Sequence, residues 1–426
     1  MSSLSVGPPL AAFPCVVLLA AGLAAAQDTF PLADDPALAD LVAEALAKSP
    51  ELRSAEAARV AAETRAAQAG ALPDPTLTVG YQNGGRGWAP GADEDTGVRV
   101  AVSQMLPFAG KRRLAESVEA KDAERATHRA TRARLSLVYR VRLAHANLLL
   151  ARENLALIDD QKRATKDIEE LTRSRYAVGL AEQSDVLRAQ AELARLDQMR
   201  LHEAGLETSA IAELNRLLDR PAGTPVPSGR RLTAVAETPI RVPPVEDVVA
   251  RVESMSPEIA ASDVSLERSR AALELSRRNT KPDFVAEASY FNRGPLPDMF
   301  AVDVGIVLPL YKGRKQDRAI AEAEARLRAD EADRQAMRLR ARAEAEKSLA
   351  DLRAAVGESE AYAKGVLVVD GLAVESAIAS FQAGKVPFVT VLEAHNTLYR
   401  DRWQYADLLF HVLWHSARLD AWAVEE

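Results

Sequence analysis

Two stretches decide how this chain is read: Tyr176-Ala177-Val178-Gly179-Leu180 leading to Asp185-Val186-Leu187, and Phe381-Gln382-Ala383-Gly384-Lys385 leading to Val391-Leu392-Glu393-Ala394. Tyr176, Gly179, Val186, Leu187, Ala189 and Leu193 have counterparts in Phe381, Gly384, Val391, Leu392, Ala394 and Leu398, each 205 residues further on. Outward from these stretches the echo continues. Ser49-Pro50-Glu51-Leu52 returns as Ser256-Pro257-Glu258-Ile259, Pro73-Asp74 as Pro282-Asp283, and Leu106-Pro107-Phe108 as Leu308-Pro309-Leu310. Four landmarks in one order mark an internal duplication, and a duplication sets the architecture before any local assignment. The copies span 27–220 and 249–426, joined by a Pro-rich linker over 221–248 that carries Pro225, Pro227, Pro239 and Pro243. The spacing between landmarks changes most between Pro73 and Pro107, so that segment holds a variable surface loop.

Each copy reads as helix, strand, loop, strand, very long helix, break, helix. Residues 111–178 contain no Gly or Pro, and as continuous helix they would reach about 100 Å. Val141, Ala144, Leu148, Ala151, Leu155 and Ile158 form a heptad seam within it. The second copy runs over 314–383, broken only by Gly357, Gly365 and Gly371. Strands are expected over 76–82 and 98–104, then over 284–291 and 300–308. Leu77, Val79 and Tyr81 share a face, as do Phe284, Ala286, Ala288 and Tyr290 against Glu287 and Ser289. Phe300, Val302, Val304 and Ile306 oppose Asp303 and Gly305. Alternation alone favours a half-buried soluble sheet over a membrane barrel, but a secreted chain has access to an outer membrane. Four strands cannot close a barrel, for which about eight is the working minimum, but four from each of several subunits can. The expected class is mainly α with a small β part.

The chain has 426 residues, 54 Lys and Arg against 61 Asp and Glu, and a formal charge of −7. That balance speaks against nucleic acid, which demands a basic surface. Cys15 is the single cysteine, which excludes a disulfide framework and a cysteine zinc site. Residues 1–26 carry no charge; Val16 to Leu23 are apolar and Ala24-Ala25-Ala26 supplies an A-x-A site. They read as a signal peptide, cleaved after Ala26.

Chemical motifs are few. Gly110-Lys111-Arg112 and Gly384-Lys385-Val386 lack the upstream glycine and following Ser or Thr of a phosphate loop. His411 and His415 are i, i+4 neighbours, but with Trp414 between them they read as helix packing rather than metal ligands. No nucleophile elbow or catalytic triad is present. No catalytic, cofactor or metal residue is assigned, and an enzyme is not expected.

The ordered markers Ala71-Leu72-Pro73-Asp74-Pro75, Gln104-Met105-Leu106-Pro107-Phe108-Ala109-Gly110-Lys111 and the two turns resemble those of the TolC family of outer-membrane efflux channels, over nearly the whole mature chain. The Leu-Pro-Asp-Pro and Pro-Phe-Ala-Gly-Lys elements are most similar to its heavy-metal, CzcC-like branch. The resemblance implies a homotrimer whose four strands per chain build a twelve-stranded barrel in outer-membrane lipid, continued by a periplasmic tunnel of helices. It implies docking to a periplasmic adaptor (membrane fusion protein) and an inner-membrane RND-type pump, with no cofactor. It places the gate and adaptor contact at the turns, Gly179 and Leu180 in one and Gly384 and Lys385 in the other. Thr390 and Glu393 fall on the family's two ring positions, with Asp185 and Arg188 as first-copy equivalents. Glu393 is then a gate residue or a solvated helix residue. A duct for drugs or secreted proteins is the alternative cargo, and a non-conducting periplasmic coiled-coil scaffold is the alternative class.

Overall fold

The computed structural model describes residues 30–423, apart from Ala33, Arg86, Ser228, Thr238, Pro239 and Arg241. The expected signal peptide, with Cys15, lies outside the described residues. The chain begins with α1 (Pro36–Lys48) and α2 (Pro50–Gly70), then strands β1 (Thr76–Gln82) and β2 (Gly97–Leu106), then α3 (Lys111–Ala177) and α4 (Gln183–Leu217). A linker carrying the short α5 (Ala234–Glu237) leads to α6 (Val245–Met255) and α7 (Pro257–Arg278). Strands β3 (Asp283–Asn292) and β4 (Met299–Val307) follow, then α8 (Gln316–Ala361), α9 (Leu367–Gln382) and α10 (Phe388–Ala423). Strand ends differ from the sequence expectation by one or two residues.

The repeated Ser-Pro-Glu motif is a helix start. Ser49 accepts the Leu52 N–H and Ser256 the Ile259 N–H, each with proline at the first helical position, where its missing N–H costs nothing. α3 runs 67 residues unbroken, as its lack of Gly and Pro requires. Its counterpart in the second copy passes through Gly357 but widens to a π-turn over Tyr362–Val366, where the Leu367 N–H reaches the Tyr362 carbonyl. Of the three glycines expected to interrupt this helix, only Gly365 lies in the break.

The helices lie side by side. Near the sheet, α3 touches α2 and α7, and α7 touches α8; toward the turns, α3 touches α4 and α10, and α10 touches α9. The main core is at mid-length, where Leu137, Val141 and Leu148 of α3 meet Leu214 of α4, Leu349 of α8 and Leu409 of α10. The linker lies against the helices there, with Val226, Leu232 and Val235 buried. Arg152 donates to the Val226 carbonyl at 3.1 Å.

The sheet is antiparallel in the order β1-β2-β3-β4. Register carries the alternation across all four strands: Val79 opposes Val100, Val100 opposes Tyr290, and Tyr290 opposes Phe300. One face is therefore a continuous field of Leu, Val, Ala, Tyr, Phe and Ile. The other carries Arg99 and Glu287, ion-paired at 2.6 Å, with Asp303 directly opposite Glu287. The apolar face is exposed, Val302 to 81% and Val79 to 66%. At the far end the two strand loops pack together, Gly91 and Gly294 both at positive φ. A Cβ on Gly294 would stand 2.5 Å from the Pro90 carbonyl oxygen.

Sheet and helices are locked where the copies meet. Asp283 Oδ1 accepts the Phe108 N–H and the Lys111 ammonium, each at 2.7 Å, and Lys111 also donates to the Lys281 carbonyl at 2.8 Å. Lys111 is nine-tenths buried. Removing it strands a partly buried carboxylate, and a hydrogen bond to a charged group is worth about 1.5–3 kcal/mol. Lys111→Met should lose about that much in thermal unfolding of the detergent-solubilised protein, with Lys111→Arg losing less.

Candidate gate at the paired helical turns

Both turns close α-helices in the same way. After α3, the Leu180 N–H bonds to the Arg175 carbonyl at 2.8 Å and the Gly179 N–H to the Tyr176 carbonyl at 3.0 Å. After α9, Lys385 bonds back to Ser380 and Gly384 to Phe381, both at 2.9 Å. These are Schellman closures, and they place a left-handed residue after the helix. Gly179 has φ 77° and Gly384 φ 74°, which glycine adopts without a Cβ clash. The two hairpins therefore end alike because both glycines do the same conformational work.

The turns are also tied to each other. The Arg175 guanidinium donates to the Gln382 carbonyl at 2.9 Å and lies 4.7 Å over the Phe381 ring. Phe381 meets Phe388 edge to face at 6.0 Å. Ile168, Ala189, Ala377 and Val391 complete this small second core. Tyr176, Val178 and Leu180 remain exposed around the first turn, and Lys385 around the second.

The named gate residues occupy distinct places. Asp185 is the third residue of α4 and accepts the Glu182 N–H at 3.4 Å, a helix-capping contact, with Arg188 at 4.0 Å. Thr390 is half-buried in the first turn of α10, its N–H bonded to the Pro387 carbonyl at 3.1 Å. Glu393 is exposed, one turn further on. It lines a groove of about 510 Å³ with Gln161 of α3, Glu192 and Met199 of α4, and Tyr399 and Trp403 of its own helix. His411 and His415 stack at 6.0 Å beside Trp414, with His411 Nε2 3.3 Å from Asp407. Among the described residues, no cluster of three or more His, Cys, Asp or Glu is gathered for a metal.

Two residues at this end escape the motif reading. Arg175 is one of 54 basic residues, and nothing in its spacing marks it as the tie between hairpins. Its counterpart in the second copy is Ser380. His395 is 2% exposed and packs 4.8 Å from the Tyr399 ring.

A model of the outer membrane efflux protein family matches residues 41–219 and 248–423, one stretch in each copy. The chain belongs to the outer membrane efflux protein family. It is accordingly an outer-membrane efflux channel of the TolC type, a duct rather than an enzyme. It is 24% identical over 379 residues to the outer membrane protein TolC of Vibrio cholerae, covering 85% of this chain and 84% of that one. The outer-membrane channel OprN shares the fold at TM-score 0.80 and 19% identity, over 92% of this chain and 90% of its own. CusC, described by its conformational changes on folding and transmembrane channel formation, matches at TM-score 0.80 and 17% identity, over 91% and 92%. Membership in an efflux-channel family favours the duct over the non-conducting scaffold.

Burial holds the His395 imidazole below its ordinary range, and the Glu192 carboxylate offsets this in part while the Arg402 guanidinium reinforces it. A lowered histidine pKa means the unfolded chain takes the proton first. The stability it contributes is complete above about pH 6.5, the free imidazole value, and is lost as pH falls below it. Thermal unfolding should shift down between pH 7 and pH 5, and His395→Gln should show a smaller shift. His145 and His415 are lowered by burial too and will leave part of the slope in place.

Proposed function

We propose that three copies of this chain form the exit duct of a tripartite efflux system for heavy-metal cations. A twelve-stranded barrel stands in outer-membrane lipid and a helical tunnel extends into the periplasm. The observation that carries this reading is the sheet: a continuous exposed apolar face, an opposite face bearing Arg99, Glu287 and Asp303, and both outer strands exposed along their length. Apolar side chains then meet lipid and the charged row faces the lumen. The metal cargo is supported by the sequence elements Leu72-Pro73-Asp74-Pro75 and Pro107-Phe108-Ala109-Gly110-Lys111.

At the tunnel end, Gly179, Leu180, Gly384 and Lys385 form the surface that a periplasmic adaptor grips, and an inner-membrane RND-type pump supplies the energy. Glu393 supplies the gate charge. Three such carboxylates brought to one axis repel one another and attract cations, as acidic rings do in cation channels. Asp185 is engaged in capping α4, and Thr390 carries no charge, so the ring's selectivity rests on Glu393.

Reversal potentials across a planar bilayer under a salt gradient test this. Glu393→Gln should reduce cation selectivity while leaving trimer stability nearly unchanged, and Asp185→Asn should have the smaller effect on selectivity. Equal selectivity in wild type and Glu393→Gln would move Glu393 to the outer surface. Heightened sensitivity of cells lacking the channel to divalent heavy metals, with unchanged tolerance of dyes and detergents, would support the metal cargo; the reverse would assign it to drugs.

A further inference from the structure

A cavity of about 300 Å³ lies between α3 and α4 beside the main core. Small-molecule pockets run from about 300 to 1,000 Å³. Its walls are apolar at Leu150, Ala151, Leu206 and Ala210, and its polar end is Glu203 of α4 with Asn154 of α3. Glu203 is 5% exposed and Asn154 8%. Asn154 Nδ2 donates to the Glu203 carboxylate at 3.3 Å. That bond fixes the amide, since the flipped amide would set its oxygen against a carboxylate. Asn154 Oδ1 is then buried with no donor. Among the described residues Glu203 has the Asn154 amide as its one hydrogen-bond partner and no ion pair. A buried carboxylate without a cation is costly.

The fold does not require that carboxylate. At the spacing of 205 that relates the two hairpins, Glu203 corresponds to Leu408, itself 5% exposed. The same place in the second hairpin is filled by an apolar side chain. Glu213, also on the wall, is held at both oxygens by Arg216, at 2.8 and 2.6 Å. The cavity therefore offers one unpaired carboxylate and one unpaired amide oxygen, and a single positive charge balances it. A hard divalent ion takes about six to eight oxygens and zinc about four ligands, more than two donors supply. A quaternary ammonium has no N–H for Asn154 Oδ1. A protonated amine with an apolar body meets every demand: charge for Glu203, N–H groups for both oxygens, and hydrocarbon for the walls.

The direction in which the cavity opens follows from α3. Arg152 reaches the linker, donating to the Val226 and Pro227 carbonyls at 3.1 and 3.5 Å. At about 100° per residue, Asn147, Leu150 and Asn154 fall about 140–160° around the helix from Arg152. All three line the cavity, which thus opens away from the linker. A linker inside a duct would block it, so the linker marks the outside and the cavity faces the tunnel. We propose that Glu203 and Asn154 form a binding site in the tunnel wall for a singly charged organic ammonium ion, a protonated primary or secondary alkylamine. The site lies within one chain and does not depend on the metal cargo; only its place in the tunnel rests on the closed-ring reading. Three copies give the duct three such sites, which retain amines in passage.

Calorimetric titration of the detergent-solubilised channel with benzylammonium tests the site, with benzyl alcohol, tetramethylammonium and zinc as comparisons. Wild type should bind benzylammonium saturably, and Glu203→Gln should bind it about tenfold more weakly or worse. Benzyl alcohol, which lacks the charge, and tetramethylammonium, which lacks the N–H, should bind as weakly to wild type. Leu206→Trp, which narrows the cavity and leaves both polar groups, should also weaken binding. In thermal unfolding without ligand, Glu203→Gln should be no less stable than wild type, because it removes an unpaired buried carboxylate. It should lose the upward shift that benzylammonium gives wild type. Equal affinity in wild type and Glu203→Gln, or zinc binding without benzylammonium binding, would overturn the proposal. For the location, Asn147→Cys supplies a thiol in a chain whose own Cys15 precedes the expected cleavage site. A water-soluble methanethiosulfonate should lower the conductance of this reconstituted variant, and benzylammonium should slow that loss. Labelling without a change in current would put the cavity outside the tunnel and overturn the placement. A detergent mass of one chain with binding intact would sink the ring and leave the site; a mass of three chains with no binding would sink the site and leave the ring.

Discussion

A strand edge inside a hydrocarbon layer cannot leave its N–H and C=O groups bare, because no water is there to bond them. The rest of this molecule follows from that constraint. Four strands present an apolar face fit for lipid, but β1 and β4 are edges. The sheet is complete in a membrane only when other copies supply the missing neighbours. The long helices extend the same demand below the sheet, since they continue the same two open sides. α3 is long because nothing in it breaks a helix, and its length carries the ring from the sheet to the turns.

The two joints of such a ring would resemble each other without being equal. Inside the chain, Arg175 ties the first hairpin to the Gln382 carbonyl and the Phe381 ring. Its counterpart is Ser380, which is too short to make that tie.

Much of this was readable in the residues. Absence of Gly and Pro over 111–178 gave a single helix, and the Ser-Pro-Glu motif marked two helix starts because its serine and proline have only one good use there. The strands were legible from alternation to within a residue or two, as period two is a strong signal. The turn glycines were legible because the duplication preserved them. The π-turn was not: three glycines offered a break, and only packing decides which helix turn widens. Arg175 was invisible for a related reason, since its partners Phe381 and Gln382 come from a hairpin some 200 residues distant in sequence. Asp185 was visible as an acid near the turn, but its spacing from Glu182 also fits a capping role, and that role is the one its contacts show.

The central claim is that one face of the sheet meets lipid and the other an aqueous lumen. Nitroxide labels placed singly along β1 and β4 of the reconstituted channel read this directly, through their collision rates with oxygen, which concentrates in lipid, and with a water-soluble nickel chelate. Labels at Leu77, Val79, Val302 and Val304 should respond to oxygen, and labels at Thr78, Gly80, Asp303 and Gly305 to nickel, alternating with a period of two. Equal nickel access at every position would contradict the account and return the sheet to water on both faces.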